Sequence, residues 1–155
     1  MRGHLREITP AELSKRLRDA PVVTATLMQE IIEHGCRRVL PSRSTARTAR
    51  IECLIAAAAW TEAALALIEL ELPQWQLRRI AYDSGEWHCA LSRERELPDW
   101  LDQSIDARHP DLALAILTAL VDTLRTVAPR PRTSVPLVPR GADVASTPVC
   151  CDNFS

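Results

Sequence analysis

Apolar residues recur at helical spacing along several stretches of this chain and alternate along another. The longest stretch, Ile51 to Leu72, is rich in Ala and Leu, contains no Gly or Pro, and is closed by Pro73. That composition predicts one long helix, since Ala and Leu are strong helix formers and a proline stops the pattern. At about 100° per residue, Glu52, Ala59, Glu62, Ala66 and Glu69 fall on one side. Leu54, Thr61, Leu65, Ile68 and Leu72 fall on the other, flanked by Ala57, Trp60, Ala64 and Leu67. The apolar arc is so wide that neighbours should wrap most of the girth, which makes this helix the expected centre of the fold.

Two shorter helices are expected before it. Thr9-Pro10-Ala11-Glu12 has the form of a capping box with proline at the first helical position, and Ile8 and Leu13 are spaced for a hydrophobic staple. This helix should run to about Asp19. A second should start near Thr26 with Gln29 as its box partner, carrying Leu27, Met28, Ile31 and Ile32 to a left-handed stop at Gly35. Cys36 to Leu40 reads as a short extended piece. Further on, Leu97-Pro98-Asp99-Trp100 reads as the opening of a helical turn. Pro110 then opens an amphipathic helix to about Val127, with Leu114, Leu117, Leu120, Val121 and Leu124 on one side and Asp111, Thr118, Asp122 and Arg125 on the other.

The alternating runs flank Asp83-Ser84-Gly85 and predict a β-hairpin whose three-residue loop places the glycine in the left-handed region. Pairing Tyr82 with Glu86 puts Trp75, Leu77, Arg79 and Ala81 on a buried face with Trp87, Cys89 and Leu91. Gln76, Arg78, Ile80 and Tyr82 then share the exposed face with Glu86, His88, Ala90 and Ser92. Arg79 offends this pattern, and its guanidinium would have to stack on Trp87, find a partner or escape at an edge. A lone hairpin is marginal in water, so a helix must cover it.

From Ala128 onward the periodicity stops, and four prolines at 129, 131, 136 and 139 precede small polar residues. Such a segment is expected to be disordered. The expected architecture is therefore α+β. Residues 1–127 form a single, mostly helical domain around one long central helix, with one β-hairpin, and residues 128–155 form a disordered C-terminal tail. A chain of 155 residues suffices for one ordinary hydrophobic core.

Charge changes this picture little. The net charge is −1, but residues 1–50 hold ten basic and five acidic side chains, and residues 51–127 hold six and thirteen. A basic front and an acidic middle attract each other most simply within one fold. Arg outnumbers Lys eighteen to one beside abundant Ala, a usage that suits a GC-rich bacterial genome and weakens arguments from Arg content. The five cysteines are odd in number, with no two at zinc-ligand spacing, and the N-terminus has no apolar core of the secretory kind. A reduced, cytoplasmic protein is expected. Thr61 and Glu62 at the middle of the long apolar run argue against a membrane span.

Candidate chemistry is sparse. Arg37, Arg38, Arg43, Arg47 and Arg50 form a basic collar, with no acid between Glu33 and Glu52. Beside Ser42, Ser44, Thr45 and Thr48 at a helix start, arginine forks could hold phosphates. No aromatic interleaves them, however, as single-strand binding would require. A solvated collar that meets acids of the middle segment is the plainer reading. Asp99, Asp102, Asp106 and His109 recur at spacings that would suit a divalent ion on one helical face. No facing set of acids accompanies them, and His109 also reads as a cap for the last helix. His88 and Cys89 are strand neighbours pointing to opposite faces, so they cannot form a nucleophile–base pair. Cys150-Cys151 lacks the prenylation pattern. No catalytic, metal or cofactor site is expected.

The stretch Glu71-Leu72-Pro73-Gln74-Trp75-Gln76-Leu77-Arg78-Arg79-Ile80, with Gly85-Glu86-Trp87-His88-Cys89, resembles a family of small bacterial proteins without an assigned activity. The resemblance reaches from about Thr9 to Leu124. It implies a self-contained domain and brings no functional residues with it. The expected function is a non-enzymatic protein-interaction or regulatory module that binds a protein partner or itself, with no membrane contact. The alternative is a nucleic-acid or phosphate-ligand binder acting through the Arg37–Arg50 collar.

Overall fold

Local capping signals set where the first helices begin. The computed structural model describes residues 8–37, 45–93 and 103–127. The expected turn at Leu97–Trp100 and the C-terminal tail lie outside these residues, as do Arg38, Arg43, Asp99, Asp102, Cys150 and Cys151. Helix α1 spans Pro10–Asp19. The Thr9 hydroxyl accepts the Glu12 N–H at 3.2 Å and the Glu12 carboxylate accepts the Thr9 N–H at 3.0 Å, the reciprocal box expected. Helix α2, Ala25–His34, is capped by Thr24 rather than Thr26, and Gln29 bonds Glu33 instead of closing a box. Gly35 ends α2 at φ −102°, in the right-handed and not the left-handed region. Its lack of a side chain matters for space: a Cβ there would lie 2.8 Å from the Ile31 carbonyl oxygen.

The expected long helix is two helices, α3 (Ala46–Ala56) and α4 (Trp60–Glu71), which pack against each other. Between them the Ala59 N–H donates to the Leu54 carbonyl at 2.9 Å and the Ala58 N–H to Ile55 at 3.0 Å. These are the two bonds of a Schellman motif, with Ala58 in the left-handed position at φ +54° that glycine normally fills. The break turns the buried faces. Thr48 and Ile51 are buried on α3, and Ala63, Ala64, Leu67, Ile68 and Glu71 on α4, while Leu65 is only partly covered. Glu52, Glu62 and Glu69 are exposed, as their stripe predicts.

In place of a single hairpin the chain builds a three-stranded antiparallel sheet in the order β1 (Gln76–Asp83), β2 (Glu86–Ser92), β3 (Ser104–His109). Ser84 and Gly85 both have positive φ, +54° and +88°, as a two-residue type I′ turn requires. The loop is therefore one residue shorter than expected. Asp83 faces Glu86 and Tyr82 faces Trp87, a slip of one that exchanges the faces of Ile80, Ala81 and Tyr82. A bulge between Leu77 and Arg79 restores Leu77 to the side of Leu91. Arg79 thus stands on the outer face and offends nothing, and the ring beside Trp87 is Tyr82, at 5.1 Å between centroids.

The centre of the fold is the last helix, α5 (Leu112–Val127). Every residue from Ala113 to Val121 is buried, so α5 is covered nearly all round over this stretch, and of its expected polar side Thr118 is buried too while Asp122 and Arg125 reach solvent. It packs on β2, β3, α1 and α4. Two buried hydroxyls on it, Thr118 and Thr123, donate to the carbonyls of Leu114 and Ala119 at 2.7 Å, so neither is left unpaired. Asp122 accepts from Ser14 at 2.6 Å and from Arg18 at 3.1 Å, which ties α1 to α5 in register.

Two stability outcomes follow from this arrangement. Ala58→Gly should stabilise the protein by about 1 kcal/mol, because it relieves a left-handed L-residue. Leu117→Ala should destabilise by about 2–5 kcal/mol, and Leu65→Ala by clearly less, in urea denaturation. A neutral Ala58→Gly, or equal costs for the two leucines, would contradict the assigned break and centre.

Candidate interaction surface

The end of the sheet nearest α5 is fixed by one buried imidazole. His109 Nδ1 accepts the Asp111 N–H at 2.9 Å, and its Nε2–H, the tautomer those partners require, donates to the Ala20 carbonyl at 3.0 Å. Asp111 in turn caps α5 by accepting the Leu114 N–H at 3.0 Å. The helix cap is thus Asp111, and His109 holds the strand-to-helix turn against the α1–α2 connection. Asp106 and His109 lie on a strand, not a helix, and point to opposite faces of it. Among the described residues, no three His, Cys, Asp or Glu side chains converge as metal ligands would.

A helix is about 10 Å wide and strands lie about 4.8 Å apart, so one helix covers two strands well. α5 covers β2 and β3 and leaves the third strand, β1, at the margin. Ile80 and Tyr82 point to the helix side of the sheet, yet they are 40% and 61% exposed. Trp87 beside them is half-buried. Among the described residues β1 pairs with β2 alone, so its outer backbone edge faces no other strand. On the opposite face of the sheet, Ala81 and Ala90 line a depression of about 210 Å³. Its rim is Arg79, Asp83, His88, Asp106 and Arg108.

Of the basic collar, Arg37, Arg47 and Arg50 lie among the described residues. Arg37 is exposed, and its backbone N–H donates to the buried Glu71 carboxylate at 3.1 Å. Arg47 and Arg50 are exposed on α3 and take part in no ion pair among the described residues. Of the hydroxyls expected to help them, those of Thr45 and Thr48 are engaged in capping, and Ser42 and Ser44 lie outside the described residues: Thr45 accepts the Thr48 N–H, and the buried Thr48 hydroxyl lies 2.8 Å from that of Thr45.

The thiols divide by environment. Cys36 and Cys89 are buried and Cys53 is exposed. Burial, with the Glu71 carboxylate nearby, pushes the Cys36 thiol far above its ordinary range. Burial, reinforced by Asp106, pushes Cys89 up to about 12. Both stay protonated at neutral pH and are poor nucleophiles. Among the described residues no helix is long and apolar enough to cross a membrane.

Comparison with protein-family models, curated proteins and solved structures gave no match. The surface residues that stand out, Ile80 and Tyr82, are missed from sequence because the one-residue register slip places them on the covered face. The signal that could have found them is Ser84-Gly85 read as a two-residue turn.

Iodoacetamide treatment of the native protein, read by peptide mass spectrometry, should modify Cys53 and spare Cys36 and Cys89. Equal modification of the three would contradict the burial of the last two.

Proposed function

We propose that this protein is a non-enzymatic interaction module that docks a protein partner along the open margin of its sheet, at β1. The observation that carries this reading is the exposure of Ile80 and Tyr82 on the helix side of an edge strand. Exposed apolar side chains on a strand edge that faces no other strand among the described residues suit strand addition, in which main-chain bonds supply affinity and side chains supply selection. The burial of the Cys36 and Cys89 thiols agrees with a structural role for both. A photo-crosslinking residue at position 82 should give a discrete protein adduct in cells, and the same residue at exposed Glu62 should give none. Equal adducts from both positions, or none from 82, would end this reading.

A second reading rests on Arg47 and Arg50, exposed and without an ion-pair partner among the described residues. They would bind nucleic acid or a phosphorylated ligand. Retention on heparin that falls with salt, and is lost in Arg47→Glu/Arg50→Glu, would support it. Retention unchanged by the double substitution would remove it.

A further inference from the structure

We propose that the partner accepted by β1 is a second copy of this chain, paired antiparallel about a twofold axis through Ala81 to give one continuous six-stranded sheet. The proposal rests on the docking margin described above and adds the identity and register of the occupant.

The backbone allows it. In a hairpin closed by a two-residue turn, the flanking pair, Asp83 and Glu86, is bonded to each other. Alternation then directs the N–H and C=O groups of Tyr82 and Ile80 away from β2, toward the open side. These are the groups an added antiparallel strand would engage.

The side chains select one register. A twofold pairing centred on Arg79 sets like charges opposite each other, which is unfavourable. Centred on Ile80, it sets Tyr82 against Arg78 and Arg79 against Ala81. Centred on Tyr82, it sets Ile80 against Ser84. Centred on Ala81, it sets Ile80 against Tyr82 of the second copy twice, on the helix side of the sheet. On the outer face it sets Arg79 against Asp83 of the second copy, again twice, with the two small Ala81 residues on the axis. Ile80 and Tyr82 on the helix side, and Arg79 and Asp83 on the outer face, are answered together only in this last register. Charges on edge strands ordinarily keep other strands away, and here the same charges choose the strand that approaches.

Sedimentation equilibrium of the full chain should give a reversible dimer of twice the 17.3 kDa chain mass. Arg79→Asp and Asp83→Arg should each weaken it about ten-fold, from the loss of two cross-strand charge pairs. Arg79→Asp/Asp83→Arg together should recover most of that loss, since the swap rebuilds both pairs, and a merely structural role would not be rescued. With Cys53, Cys150 and Cys151 replaced by Ser, mild oxidation should link Ala81→Cys to its copy and leave Arg79→Cys unlinked. Linkage of Arg79→Cys, or failure of the swap to recover the dimer, would overturn the register. A monomer at about 100 μM would overturn self-pairing altogether. Should position 82 still crosslink a different protein, the interaction reading stands without it; should it crosslink nothing, both fall.

Discussion

A helix buried on nearly every side dictates what can lie around it. From Ala113 to Val121 α5 is buried, and α1, α4, β2 and β3 are placed to keep water off it. Its alanines at 113, 115 and 119 allow close approach, and Leu114, Ile116, Leu117 and Leu120 fill the space between helices and sheet. Its one charge near the core, Asp122, is answered by Ser14 and Arg18 of α1. Removal of either partner would expose a half-covered carboxylate to unmet desolvation. At its other end, His109 and Asp111 fix the entry of the chain from β3. The sheet and helix α1 are therefore oriented by the two ends of one helix.

That arrangement leaves Ile80 and Tyr82 of β1 exposed. The helix that protects β2 and β3 cannot also reach the third strand, and no other described helix packs extensively there. Ile80 and Tyr82 are apolar because they belong to the covered side of the sheet by alternation. They are exposed because the cover ends before them. The exposed margin is thus a consequence of the way the core is closed.

Much of the fold was legible in the residues, and the failures have separate physical causes. The box at Thr9 and Glu12 was readable because capping is local and needs no knowledge of neighbours. The break at Ala58 was not, because an alanine in the left-handed region is invisible to propensity; only the packing of α3 against α4 offsets its cost. The wide apolar arc assigned to residues 51–72 is a real signal, but the same signal is stronger from Ala113 to Val121. Amphipathic spacing of Leu114, Leu117 and Leu120 hid the fact that the alanines between them are buried too. Strand β3 carries period two in Ile105, Ala107 and His109, which the Asp and His spacing had disguised as a helical cluster. Arg79 looked misplaced because one residue of loop length and one bulge decide which face a strand residue takes. Of the candidate collar, the exposure of Arg47 and Arg50 was legible, and the engagement of Thr45 and Thr48 in a cap was not.

Hydrogen exchange followed residue by residue across a dilution series tests the central claim most directly, because it reports both the core and the open margin. Amides of α5 from Ile116 to Val121 should exchange slowest, at the rate of global unfolding. The Ile80 and Tyr82 amides should exchange far faster than those of Ala81 and Asp83 when dilute, and slow as concentration rises. Uniform protection along β1 at every concentration would mean that its edge is already covered by the chain itself, and would contradict the account.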